Sequence, residues 1–195
     1  MKEYVTIKAP CERELIIKKS RFIAVLIKVK DVKEIDNILE NIKDKYKDAT
    51  HYCYGYIVND RKKSSDDNEP GGTAGLPILQ ALEKNNLNYV LCVVIRYFGG
   101  IKLGAGGLIR AYSKATSEVI RNSNKIELIK GLEIRFITNY EDQKRIDYLL
   151  KDYQFTKEYG TNITYHALIP EDDIINLNIK DLEIIDKKEI EKSVN

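Results

Sequence analysis

The chain has 195 residues, 43% of them hydrophobic and 32% charged, with a net charge of +2. That length and composition support one large domain or two small ones and exclude disordered, collagen-like and low-complexity architectures. No run approaches the roughly 18 apolar residues of a membrane span, no apolar signal core follows the N-terminus, and Cys11, Cys53 and Cys92 form no CxxC pair, so a cytoplasmic protein with reduced thiols and no membrane partner is expected.

Residues 13–18 and 21–29 are predicted strands, with Lys19-Ser20 as their turn. Asp31 is suited to cap a helix with Glu34 as its capping-box partner, and Val32, Ile35, Ile38, Leu39 and Ile42 follow at helical spacing. Residues 50–58 alternate as a strand, with Tyr52, Tyr54 and Tyr56 on one face and His51, Cys53 and Gly55 on the other. The polar stretch 59–72 predicts a loop. Residues 73–84 predict a short helix with Pro77 near its first turn. The nearly all-apolar stretch 89–97 predicts a central strand buried on both faces. A loop over 98–104 leads into a helix over 105–122.

The remainder predicts a strand over 126–138 broken by Gly131, a helix over 141–151 and strands over 155–159 and 163–169. A short helix after Pro170 and a last strand over 182–185 complete a β-α-β-β-α-β order, that of the ferredoxin-like split unit. A boundary near 124–131 therefore separates two domains, 1–125 and 126–195, of an α+β protein. Charge follows the same division. Residues 1–130 carry 23 Lys/Arg and 16 Asp/Glu, a net +7, and residues 131–195 carry 9 and 14, a net −5. A basic segment suits nucleic acid and an acidic one suits a protein partner.

Eight of the 11 glycines lie between Gly71 and Gly107. The densest signal runs from Arg96 to Arg110, out of a buried strand, through Gly99, Gly100, Gly104, Gly106 and Gly107, into a helix. Such a passage presents backbone N–H groups and a positive helix end to an anion. Lys102 adds charge, and Arg110, Lys114, Ser117 and Arg121 share one helix face. The stretch lacks the P-loop lysine pattern, and Ile109 stands where a dinucleotide fingerprint needs its third glycine. Tight helix–strand packing is the alternative use of these glycines.

A second signal is the acidic run Asp66, Asp67 and Glu69 ahead of Gly71, Gly72 and Thr73, which form a second candidate anion site. Asp66 and Glu69, with His51, are the weak catalytic candidates: a carboxylate here can hold Mg²⁺, act as a base, or anchor a basic loop. His51 and Cys53 share a strand face, as a thiol–imidazole pair or, with Cys92, part of a zinc site would require, but the remaining ligands are missing. A buried thiol and a hydrogen-bonded imidazole are the expected roles, with no metal and no cofactor. The three tyrosines could stack bases if exposed, and are expected to pack on the sheet. His166 is isolated, and GxSxG, HExxH and RRM-type signatures are absent.

Three stretches resemble the YigZ/IMPACT family: 51–56 (HYCYGY), 66–79 (DDNEPGGTAGLPIL) and 93–112 (VVIRYFGGIKLGAGGLIRAY). The resemblance covers residues 1 to about 125 well, while the tail resembles, by order and position, the small domain that follows in bacterial members. It implies a first domain similar to the second domain of a small-subunit ribosomal protein, with a left-handed βαβ crossover, and a second similar to a ferredoxin-like domain of an elongation factor. It places His51, Asp66, Glu69, Gly71, Thr73, Arg96, Gly99, Gly100, Lys102, Gly104, Gly106, Gly107 and Arg110 in the family pattern without assigning them chemistry. Eukaryotic IMPACT resembles a translational regulator that works with a further domain. Peptidase labels carried by some members find no support in two histidines and no ligand cluster.

The expected function is therefore regulation of translation through RNA or the ribosome, with phosphates at Arg96, Lys102, Arg110, Lys114, Arg121 and the loop 99–107. An enzyme acting on a phosphorylated small molecule or nucleotide, and a protein-interaction module using the acidic domain, are the alternatives.

Overall fold

A strand buried along nearly its whole length organises the first of two units. The computed structural model describes residues 3–193, and the chain divides into a unit of Tyr4–Ile126 and a second containing Glu127–Asn195. In the first, β1 (Tyr4–Ile7), β2 (Cys11–Ile17), β3 (Ser20–Lys28), α1 (Ile35–Lys45), β4 (His51–Val58), β5 (Arg61–Ser65), α2 (Gly75–Lys84), β6 (Val90–Tyr97) and α3 (Ala105–Arg121) follow in order.

Five of these strands form a sheet in the order β2-β3-β6-β4-β5, every neighbour antiparallel. The last strand in sequence thus lies at the centre, and α1 connects β3 to β4 across it. Side chains of β6 alternate between two cores. Leu91, Val93 and Ile95 cluster with Ile35 and Ile42 of α1, whereas Val90, Cys92 and Val94 cluster with α2 and α3. Burial on both faces is why this strand is apolar without alternation. Tyr52, Tyr54 and Tyr56 are half-buried against the α1 core.

Several local expectations are corrected. Residues 61–65 are not loop but an edge strand paired with β4. Arg61, Lys62 and Lys63 are exposed there, as charged edge residues that discourage further pairing would be. The β2–β3 turn is Lys18-Lys19, both with positive φ (45° and 66°), and Ser20 opens β3. Asp31 accepts from the Lys33 N–H, but Glu34 reaches the Lys30 N–H, and a 3-10 turn (Val32–Glu34) precedes α1. β1 had no distinct signature in the sequence, being only four residues long.

Gly99 leaves no room for a larger residue. An added Cβ would collide with the backbone of Lys19 and Ser20. Gly99→Ala is expected to cost about 1–3 kcal/mol through overpacking, read from urea unfolding. Gly106→Ala, whose Cβ would meet nothing nearer than the Arg110 guanidinium at 3.5 Å, is expected to be neutral or stabilising.

The second unit runs β7 (Lys125–Thr138), α4 (Gln143–Leu149), β8 (Gln154–Tyr159), β9 (Ile163–Pro170), α5 (Ile174–Leu177) and β10 (Glu183–Ser193). Its strands lie in the order β10-β7-β9-β8, around a core of Leu132, Ile134, Phe136, Ile146, Tyr165 and Ala167, with Leu177 of α5. Gly131 does not break β7. It pairs with Pro170 in the ladder, and an added Cβ would meet the Ile190 side chain.

Candidate nucleic-acid interface

Antiparallel register brings His51 and Arg96 to one end of the first unit's sheet, whereas Arg121 lies towards the other, next to Asn122, which meets Cys11 and Arg13 of β2. Arg96, one residue from the end of β6, lies opposite His51 on one side and Phe22 on the other. It is 5% exposed. Its Nη1 donates to Glu69 Oε1 at 2.5 Å, and the Tyr112 hydroxyl donates to the same oxygen at 2.8 Å. His51 Nε2 lies 3.8 Å from that oxygen, while its Nδ1 bonds the Asp67 carbonyl at 2.8 Å. Arg96 therefore faces a carboxylate of its own chain rather than solvent. Its guanidinium carbon also sits 5.4 Å from the ring centroids of both Phe22 and Phe98. Among the described residues, its Nε is the one buried side-chain nitrogen or oxygen without a hydrogen-bond partner.

Asp66 occupies the second predicted anion site. Its carboxylate accepts from the N–H groups of Gly72 (2.8 Å), Ala74 (2.9 Å) and Gly75 (2.8 Å). The start of α2 is thus closed by the chain's own anion. Burial pushes this carboxyl up, but the three N–H bonds outweigh it and hold its pKa below the ordinary value of 3.8. Thr73 is buried and its hydroxyl donates to the Pro70 carbonyl at 2.6 Å, whereas Gly71 is exposed.

The start of α3 is different. Gly104 precedes it with φ 70°, and no side chain hydrogen-bonds to cap it. Gly100, Lys102, Gly104, Gly106, Arg110, Lys114 and Arg121 are exposed, and Gly107 is half-buried against Leu103. Arg121 pairs with Glu118. The Gly99 N–H is taken by Ser20 Oγ at 3.1 Å, so the open donors lie further along the loop. Leu108, Tyr112, Ala115 and Val119 are buried on the opposite face of the helix.

Two contributors were missed in the sequence. Lys18 and Lys19 are exposed and their turn abuts Gly99. Phe98 is 45% exposed at the loop's root. A two-lysine turn could have been noticed, but nothing in the sequence linked it to Gly99.

Cys53 is buried and its thiol donates to the Asp66 carbonyl at 3.0 Å. Burial pushes Cys53 up to about 12, with the neighbouring carboxylates adding to this, and burial likewise pushes Cys92 to about 12. Thiolates are the reactive form, so in the native protein a thiol reagent at pH 8 is expected to modify half-buried Cys11 and spare the other two until denaturant is added. Among the described residues, no group of three His, Cys, Asp or Glu is placed to hold a metal ion.

The second unit contains a cleft of about 920 Å³ lined by seven carboxylates and one lysine. Glu127, Asp152, Asp172 and Asp173 line it together with Ile129, Leu168, Pro170 and Ile190.

The Impact N-terminal domain matches residues 18–120. The chain belongs to the IMPACT family. The IMPACT family member YvyE of Bacillus subtilis is 39% identical over 174 residues, 86% of this chain and 80% of its own length. The IMPACT family member YigZ of Escherichia coli is 38% identical over 110 residues, 54% of each chain. Among solved structures, a crystal structure described as that of a hypothetical protein covers 94% of this chain and 97% of its own, with 27% identity and a TM-score of 0.65. This agrees with the family resemblance carried by stretches 51–56, 66–79 and 93–112. Among the described residues no helix is long and apolar enough to cross a membrane.

Proposed function

We propose that this IMPACT-family protein regulates translation by binding RNA on the ribosome or on a translation partner, through the loop 99–107 and the exposed face of α3. One observation carries this reading. Of the two helix starts at this end of the first unit, that of α2 is closed by Asp66, while that of α3 has no side-chain cap and is flanked by exposed Lys102 and Arg110. An open helix start with cations beside it suits a phosphate. Lys114 extends the basic face. Arg96 supports the site from beneath.

The test is fluorescence anisotropy of labelled RNA across a salt series, with a folded Lys102→Ala/Arg110→Ala/Lys114→Ala variant. Binding is expected to weaken steeply with salt, and the variant to lose affinity and about 0.7 of log–log slope per phosphate contact removed. Unchanged affinity and slope in the variant would refute the surface.

The enzymatic alternative requires Asp66 or Glu69 as a base or metal ligand. Asp66 is engaged by three backbone donors and Glu69 by Arg96 and Tyr112, which favours a binding role. A second reading is supported by the acidic cleft: a basic protein partner on the second unit. Glu127→Lys/Asp172→Lys would then abolish a nuclease-resistant complex that the triple alanine variant retains.

A further inference from the structure

We infer that Phe98 is a stacking platform for a nucleobase, and that the RNA taken by this surface is therefore single-stranded. This rests on the phosphate-binding reading above and names its ligand class.

Phe98 is a large apolar residue left 45% exposed at the root of a glycine-rich loop. It is not loosely held. Its N–H donates to Thr50 Oγ1 at 3.0 Å, and the Thr50 N–H in turn donates to the Arg96 carbonyl at 2.8 Å. The next residue, Gly99, is tied to Ser20 Oγ and wedged against Lys19. The ring lies 5.4 Å from the guanidinium carbon of Arg96. That cation is fixed by Glu69 and stacks also near buried Phe22. The aromatic is thus positioned before any ligand arrives, and its exposed part can be covered by a planar partner at little ordering cost. The exposed Lys102 and the Lys18-Lys19 turn share this loop region. An aromatic beside cations that follow a backbone is the arrangement by which single strands are held without a sequence code. Paired bases in a duplex keep their faces buried in the stack, so a duplex offers this ring nothing.

The chain has no tryptophan, so Phe98→Trp installs a single reporter. Single-stranded oligouridine or oligoadenosine is expected to quench its fluorescence at saturation, while inorganic polyphosphate binds without quenching. Phe98→Leu is expected to lose about tenfold in affinity for single strands, to keep its salt slope, and to bind polyphosphate and an abasic oligonucleotide as the parent does. The result is decisive in either direction. Binding without quenching, together with an unaffected Phe98→Leu variant, overturns the stacking role while leaving the phosphate surface intact. Preference for duplex RNA also overturns it. Absence of any RNA binding at low salt removes the phosphate reading and this inference with it.

Discussion

Replacing Glu69 by Leu is expected to destabilise the first unit by about 3–5 kcal/mol, the cost of leaving a buried charge without its partner. Arg96 is 5% exposed, and among the described residues its ion-pair partner is Glu69. Removing the carboxylate strands the guanidinium and takes away the acceptor of the Tyr112 hydroxyl as well. Urea unfolding should show a lower midpoint with little change of slope. The double variant Glu69→Leu/Arg96→Met is expected to recover most of the loss, because an apolar pair of similar volume needs no charge compensation. A single variant within 1 kcal/mol of the parent would mean that the pair does not anchor this end of the sheet. The double variant has a second use. It removes the cation beneath Phe98 and should weaken RNA binding even where stability is restored.

Asp66→Asn is expected to cost about 2 kcal/mol at neutral pH, because a charged acceptor of three backbone N–H groups becomes a neutral one. The pH dependence follows from the direction of the shift. Asp66 has a folded pKa below its ordinary 3.8, so the unfolded chain takes up a proton first as pH falls. Its contribution is therefore fully present above about pH 5 and is lost as pH drops through the folded pKa. Melting curves of parent and variant should run parallel from pH 5 to 8 and converge below pH 4. A difference that persisted undiminished at low pH would show that the stabilisation does not come from the ionised carboxylate.

How much of this was legible in the sequence depended on what each residue had to bury. β6 was plain because both its faces meet a core, which demands an unbroken apolar run. The basic face of α3 was plain because its buried residues repeat at helical spacing. β5 was not, since an exposed edge strand of Arg61, Lys62 and Lys63 has no apolar face to reveal it. Arg96 stood at the junction of strand and glycine loop and looked like a ligand-facing cation. What placed it inside was its membership of the β6 ladder opposite Phe22 and His51, which no local pattern states. The acidic run was recognised as a unit, but the division of labour within it was hidden. Asp66 closes α2 and Glu69 holds Arg96, two tasks separated by three positions and set by the path of one loop. Phe98 had no periodic context, and only its partners Thr50 and Arg96, with the next residue Gly99 held by Ser20, give it significance.

The placement of β6 also bears on how the chain is made. Two hairpins, β2–β3 and β4–β5, emerge first during synthesis, and each closes locally. Neither touches the other in the finished sheet, because β6 lies between them. Until residue 97 is available, both hairpins present an unpaired edge, and edges of that kind invite association with other chains. The insertion of one late strand then completes two ladders at once and gives α1, α2 and α3 a common floor. A chain that stalls before residue 90 should consequently be aggregation-prone and unable to fold in part, whereas one that reaches residue 121 acquires all the strands and helices of this unit's two cores together.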